Sequence, residues 1–221
     1  MSVNDETPVP AVEGDVEGDV EVNVRPALAY GWQKFVARWL PLVLIVLVPV
    51  ALNAVIVFVG LTVVHGVGWF LAFLALATLV THAASIGIFN AALQATAGEE
   101  VSVGRAFSTK RWAEWIVFSL LYGLMLGVGM VFCGVGALLV VAFFGLAPFY
   151  LLEGKKIAEA FRASWATTRS NPNLPFALAV TAVVAYAGAI FFVVPALVTY
   201  PVALIAAGVL YRHATDQPVA P

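Results

Sequence analysis

The sequence predicts an all-α membrane protein: a six-transmembrane helical bundle with amphipathic interfacial helices on its cytoplasmic side. Three observations predict it. Of 221 residues, 62% are hydrophobic and only 11% are charged, with a mean hydropathy of +0.97, too little charged surface for a soluble domain of this length. The apolar residues gather into runs long enough to cross a bilayer's hydrocarbon core, which takes about 20 residues. All eleven lysines and arginines fall on one side of the resulting layout.

The elements follow in order. Residues 1–24 carry seven carboxylates and no base, with Val-Glu-Gly-Asp repeated in tandem at 12–15 and 16–19. So charged a run cannot offset its ordering entropy and reads as a disordered cytoplasmic tail. It lacks the basic start of a signal peptide, so the first apolar segment is expected to remain as an anchor. Spans are placed at about 41–64, 69–94, 112–133, 136–152, 175–193 and 196–212 within a domain of 25–213, followed by a C-terminal tail, 214–221. A single helix over 175–212 would overshoot the bilayer, so a tight turn at Pro195 is expected between the last two spans. Arg25, Lys34 and Arg38 precede the first span. Arg105, Lys110 and Arg111 separate the second and third, Lys155, Lys156, Arg162 and Arg169 the fourth and fifth, and Arg212 closes the sixth. The connections at 65–68, 134–135 and 194–195 carry no charge. Short loops keep Lys and Arg in the cytoplasm, so both termini are expected there.

Each hairpin of spans is preceded by a short amphipathic segment. Leu28, Trp32, Phe35, Val36 and Trp39 form one stripe before the first span, and Ile157, Phe161, Trp165 and Thr168 another before the fifth. Between them, Ser102 can cap a turn carrying Val103, Ala106 and Phe107. Ala29-Tyr30, Ala106-Phe107 and Ala160-Phe161 occupy comparable places, which reads as three copies of a stub-plus-hairpin unit. Stubs of this kind lie at the headgroup level, where their bases meet membrane lipids.

Pro148, Glu153, Ala160-Phe161, Ser164-Trp165, Arg169 and Asn171 resemble a pattern in a broad group of uncharacterised bacterial six-helix integral membrane proteins. That group includes the membrane domain fused to some glycerophosphoryl diester phosphodiesterases. The resemblance implies a six-helix module in the bacterial cytoplasmic membrane. The fused catalytic domain has no counterpart in these residues, so phosphodiesterase activity is not expected.

Chemistry is sparse. The central thirds of the spans contain no Asp, Glu, Lys or Arg, which argues against a pump or an ion-coupled transporter. The polar groups at mid-depth are neutral: Asn53 in the first span, Thr78, His82 and Ser85 on one face of the second, Tyr122 in the third and Tyr186 in the fifth. Asn53 lies four residues after Pro49, which deprives a carbonyl near residue 45 of its donor. These groups either hydrogen-bond helices to one another or surround a midplane cavity for a lipid headgroup, a quinone-like ring or a small solute. Gly123 and Gly127 make a small-residue face for helix packing, Ala182, Ala185 and Ala189 make a second, and Gly145 with Pro148 should kink the fourth span. Glu114 beside Trp112 and Trp115 reads as an interfacial ion pair with Lys110 in an aromatic belt. Only His82 with Ser85 offers a nucleophile and a base. The lone Cys133 excludes an intrachain disulfide, and His65 and His213 have no partners at ligand spacing. No metal, cofactor or nucleic acid is expected. The reading is a non-enzymatic scaffold, accessory or assembly module contacting lipids and a protein partner or second copy. Its alternative is a small carrier or lipid-handling protein with a cavity around His82.

Overall fold

The computed structural model describes residues 23–63, 66–131, 134–191 and 193–221. The acidic tail to residue 22, His65 and Cys133, together with the side chain of Ala189, lie outside the described residues. Every regular element among them is helical: α1 (Val24–Ala37), α2 (Trp39–Val63), α3 (Val67–Thr96), α4 (Val103–Ala106), α5 (Trp112–Val131), α6 (Val135–Phe144), α7 (Ala147–Leu152), α8 (Ile157–Ser170), α9 (Leu174–Phe191) and α10 (Val193–Ala214). Four helices are long and apolar enough to cross a membrane, Trp39–Thr62, Val67–Thr96, Trp112–Val131 and Pro195–Ala214. Val135–Phe144 and Leu174–Ala187 are apolar but shorter. The outer face is apolar too: Phe58 and Leu61 are each 66% exposed, a surface suited to lipid and not to water.

Helix α1 starts where the Asn23 side chain accepts from the Arg25 amide (3.1 Å) and stops where Arg38 leaves helical geometry. It buries Ala27, Gly31 and Phe35, whereas Trp32, Val36 and Trp39 of the expected stripe are more than half exposed. Close approach decides the choice at the point of contact. A Cβ on Gly31 would stand 2.5 Å from the Val202 carbonyl oxygen of α10, so no side chain fits there; Phe35, one turn on, is buried on the same face while Trp32 and Val36 turn outward. Helix α8 repeats the arrangement, burying Ala160, Ser164 and Thr168 and leaving Trp165 43% exposed. Ser102 caps α4 as expected, accepting from the Arg105 amide (3.4 Å). Ala106 and Ala160 are fully buried but Ala29 is exposed, so the three Ala-aromatic pairs do not pack alike.

The expected kink at Gly145 and Pro148 is a full break, with α6 ending at Phe144 and α7 restarting at Ala147. Proline supplies no N–H and its ring clashes with the preceding turn, so the hydrogen-bond ladder lapses although Gly145 and Leu146 keep right-handed helical dihedrals. Side chains replace what the interrupted ladder loses. Ser164 Oγ (3.0 Å) and Thr168 Oγ1 (3.2 Å) both donate to the Phe143 carbonyl, and Trp165 stacks on Phe144 with ring centroids 5.8 Å apart.

The chain reverses between α9 and α10, where Thr199 Oγ1 donates to the Ala185 carbonyl (3.3 Å). Pro195 is not a turn residue. Helix α10 already runs from Val193, so Pro195 sits in its first turn, where a missing N–H costs nothing. The small-residue face on α5 is also displaced. A Cβ on Gly127 would meet nothing within 4 Å, so this glycine is not a packing residue. Gly129 instead meets α6 backbone: a Cβ there would lie 2.4 Å from the Ala137 nitrogen.

One end of the bundle gathers the charge. Arg38 donates to the Glu99 carbonyl (2.8 Å), Arg212 Nε to Thr96 Oγ1 (3.0 Å), and Arg111 to the carbonyls of Leu151 (2.7 Å) and Lys155 (3.0 Å). Glu114 pairs with Arg111, not with the expected Lys110. The C-terminal tail folds onto this end: the Ala220 amide donates to the Thr96 carbonyl (3.0 Å) and Gln217 Nε2 to the Glu153 carboxylate (3.1 Å). Tyr30 donates to the carbonyls of Ala95 (3.1 Å) and Ala220 (2.9 Å). Burial pushes that phenol's pKa up, partly offset by the nearby Arg212 charge.

Replacing Ser164 by Ala together with Thr168 by Val removes both side-chain donors to the Phe143 carbonyl. This pair should cost about 1–3 kcal/mol, read as a lowered unfolding temperature in detergent. Exposed Arg162→Ala and Arg169→Ala on the same helix should leave that temperature unchanged.

Candidate functional site

Two adjoining cavities lie at the level where the neutral polar residues meet. The first, about 260 Å³, sits between α3, α5, the α6–α7 break, α9 and α10, and is lined by His82, Ser119, Tyr122, Gly145, Pro148 and Thr181 among others. The second, about 380 Å³, sits against α2 and is lined by Ile45, Val46, Pro49, Val50, Asn53 and Ile88 among others. Thr81, Ser85, Ala185, Tyr186 and Tyr200 border both.

The interrupted helix contributes Gly145 and Pro148 to the lining of the first cavity. Aromatic rings close the side toward the charged end. Trp115 is 1% exposed and its indole donates to the His82 carbonyl (3.0 Å), so it is a core residue and not part of an interfacial belt. Phe118 stacks on Tyr122 (5.8 Å between centroids, 12° between planes), and Phe161 of α8 lies 5.0 Å from Phe118.

His82 owes its position to Gly123. A Cβ on that glycine would be 2.1 Å from the imidazole Nε2. Gly123 thus accommodates a side chain and not a second helix backbone, which corrects its expected role. Ser85 Oγ donates to the His82 backbone carbonyl (2.7 Å) and not to the ring. The two therefore do not form a nucleophile–base pair in this arrangement. Ser119 and Thr181 likewise donate to carbonyls on their own helices, those of Ile116 (3.0 Å) and Leu178 (2.8 Å). Among the described residues, the His82 ring and the hydroxyls of Tyr122, Tyr186 and Tyr200 have no hydrogen-bond partner, and all four residues line the first cavity. None is left as a fully buried orphan, and Tyr186 is itself 54% exposed.

The residues singled out from the sequence therefore divide. His82, Ser85, Tyr122 and Tyr186 line the first cavity, and Asn53 joins Ser85 and Tyr186 at the second. Asn53 is already engaged: its amide donates to Thr81 Oγ1 (2.7 Å) and to the Pro49 carbonyl (3.4 Å). Thr78 is a correction. It is exposed, bonds the Leu74 carbonyl (2.9 Å) and lines neither cavity, whereas Thr81, also exposed, borders both. Sequence reading missed Thr81, Ser119, Thr181 and Tyr200. Thr81 lies one turn before Ser85, and Tyr200 precedes Pro201 inside an apolar helix; both were legible signals. No lining residue of either cavity is Asp, Glu, Lys or Arg, and no group of three or more potential metal ligands occurs among the described residues.

No protein-family model, curated protein or solved structure matches this chain. The pattern that carries the resemblance nonetheless has clear duties in the fold. Pro148 breaks the helix, Ser164 mends the break, Phe161 and Trp165 pack on the cavity's aromatic side, and Glu153 receives the Tyr211 hydroxyl (2.5 Å).

Gly123→Val should drive the imidazole of His82 into the first cavity, since a Cβ there has no room. Any bound small molecule should be lost while the unfolding temperature falls only modestly; Gly127→Val, on an open face, should change neither.

Proposed function

We propose that this chain is a six-span, non-enzymatic protein of the bacterial cytoplasmic membrane that holds a small amphiphilic molecule at mid-depth. It belongs to carriers or lipid-handling proteins in preference to pure scaffolds. The observation that carries this is the cavity itself. Four partnerless polar tips face a space of about 260 Å³, and a bundle selected only for packing would fill such a space or pair such groups. Ligand sites are concave, mostly apolar and fitted with a few convergent polar groups, and discontinuous helices recur at such sites in membrane proteins.

Six crossings are supported by the side-by-side reversal of α9 and α10 and by α6–α7 continuing one path through the break. The charges cluster at one end, which the positive-inside rule assigns to the cytoplasm. There α1, α4 and α8 are three interfacial stubs, each preceding a hairpin. Trp32 and Val36 of α1 and Trp39 at the start of α2 point outward, where acyl chains and headgroups would meet them. The likeness to the stand-alone bacterial six-helix group fits the same picture.

Purification in native nanodiscs, followed by mass spectrometry, tests the function. The wild type should retain a small amphiphile at near-stoichiometric level, and His82→Leu should lose it without unfolding. A stoichiometric protein partner with no retained small molecule would instead support a scaffold. Topology has a separate test in a Cys133→Ala background. Val67→Cys and Val135→Cys, at positions 76% and 60% exposed, should label in intact cells with a membrane-impermeant maleimide, and Ser108→Cys should not.

A further inference from the structure

Polarity is segregated between the two cavities. Residues that line only the first include His82, Ser119, Tyr122 and Thr181. Those that line only the second are apolar except Asn53, whose NH2 group already donates to Thr81 and Pro49 and whose Oδ1 is left as the one side-chain acceptor there. Tyr186 and Tyr200 stand at the border, and Tyr186 is 54% exposed, so the shared border opens toward the surrounding lipid. We propose, building on the ligand-binding reading above, that the two cavities form one head-and-tail site for a single-chain amphiphile. Its neutral, flat polar head lies beside His82 and Tyr122, and its chain runs past Tyr186 and Tyr200 into the chamber against α2.

Each part follows from the lining. The head is neutral because no cation or carboxylate lines the site, and an uncompensated charge at this depth is strongly disfavoured. The head is flat because stacked Phe118 and Tyr122 make a planar wall that an aromatic or conjugated ring fits best. It needs both a donor and an acceptor, since a neutral imidazole offers one of each and a phenol can do either. The chain is single because the second chamber, about 380 Å³, lies at the low end of small-ligand pockets. Two acyl chains with a phosphate would exceed both chambers and leave an anion without a partner.

The test uses the full chain in nanodiscs and photoreactive probes. One para-decylphenol carries a diazirine beside the ring, and its isomer carries it at the chain terminus. The ring-proximal probe should label peptides holding His82 or Tyr122; the chain-terminal probe should label the segment 45–53. A decanoate carrying the same terminal diazirine should label these segments about tenfold less at neutral pH, because its carboxylate must be neutralised to enter. Val46→Trp, which fills the second chamber, should cut decylphenol labelling about tenfold and leave labelling by a ring-diazirine para-ethylphenol unchanged. Loss of the ethylphenol label as well would mean that the variant had perturbed the head chamber, and would count against separate chambers. Exchanged labelling positions, or equal labelling by the carboxylate or by a diazirine phosphatidylglycerol, would overturn the neutral head-and-tail site but keep the ligand-binding reading. Absence of labelling by every probe in either cavity would overturn both.

Discussion

The hydrogen bonds from Ser164 and Thr168 to the Phe143 carbonyl hold together the feature on which the rest of the interior depends. A backbone interrupted at membrane depth must have its polar groups satisfied by protein, since lipid offers no donors or acceptors. Helix α8 supplies them from outside the break, and this obliges it to turn a small, hydroxyl-bearing face inward. Its bulky residues then fall on the flanks, where Phe161 reaches Phe118 and Trp165 covers Phe143 and Phe144. The break, the stub that mends it and the aromatic side of the first cavity are thus one construction.

The charged end of the bundle is organised by a comparable economy. Arg111 spends its guanidinium on Glu114 and on two carbonyls at the end of α7 and beyond, Arg212 on Thr96 and Pro218, and Arg38 on Glu99. These bases cap helix ends, where backbone carbonyls lack intrahelical donors and a positive charge is favoured by the helix dipole. The same cations therefore anchor α1, α5 and the C-terminal tail to the bundle. The two cavities, by contrast, are lined by no charged residue, and their ring-borne polar groups are an imidazole, phenols and the indole of Trp115. That division suits a protein whose interior receives something uncharged.

Much of this was legible along the chain. The helical class, the stubs before α2 and α5, the Ser102 cap and the interruption near Pro148 follow from local rules of propensity, capping and period, which act within a few residues. His82, Ser85, Tyr122 and Tyr186 were identifiable because polar side chains in apolar helices are rare enough to stand out. Thr78 and Thr81 show where such reasoning stops. Both are exposed threonines on α3, and which one borders the cavities is set by the rotation of that helix against α2, α5 and α10, not by either residue. Trp115 and Gly127 make the same point: an aromatic near a helix end and a glycine in a GxxxG spacing each have two faces open to them.

Sequence alone determined the apolar character of this protein, the confinement of its charges to a few short segments and the shortage of ionisable groups within its apolar runs, because each is a property of the chain that no packing arrangement can alter. Tertiary structure decided which face each helix presents. Small residues permit close approach, so Gly31, Ala160 and Ser164 went inward and Trp32, Val36 and Trp165 outward, against the expectation from apolar stripes. In a membrane the bulkiest apolar side chains gain nothing by hiding from lipid, and closeness of contact selects the interface instead. The same rule placed His82 over Gly123 and left the space beside it.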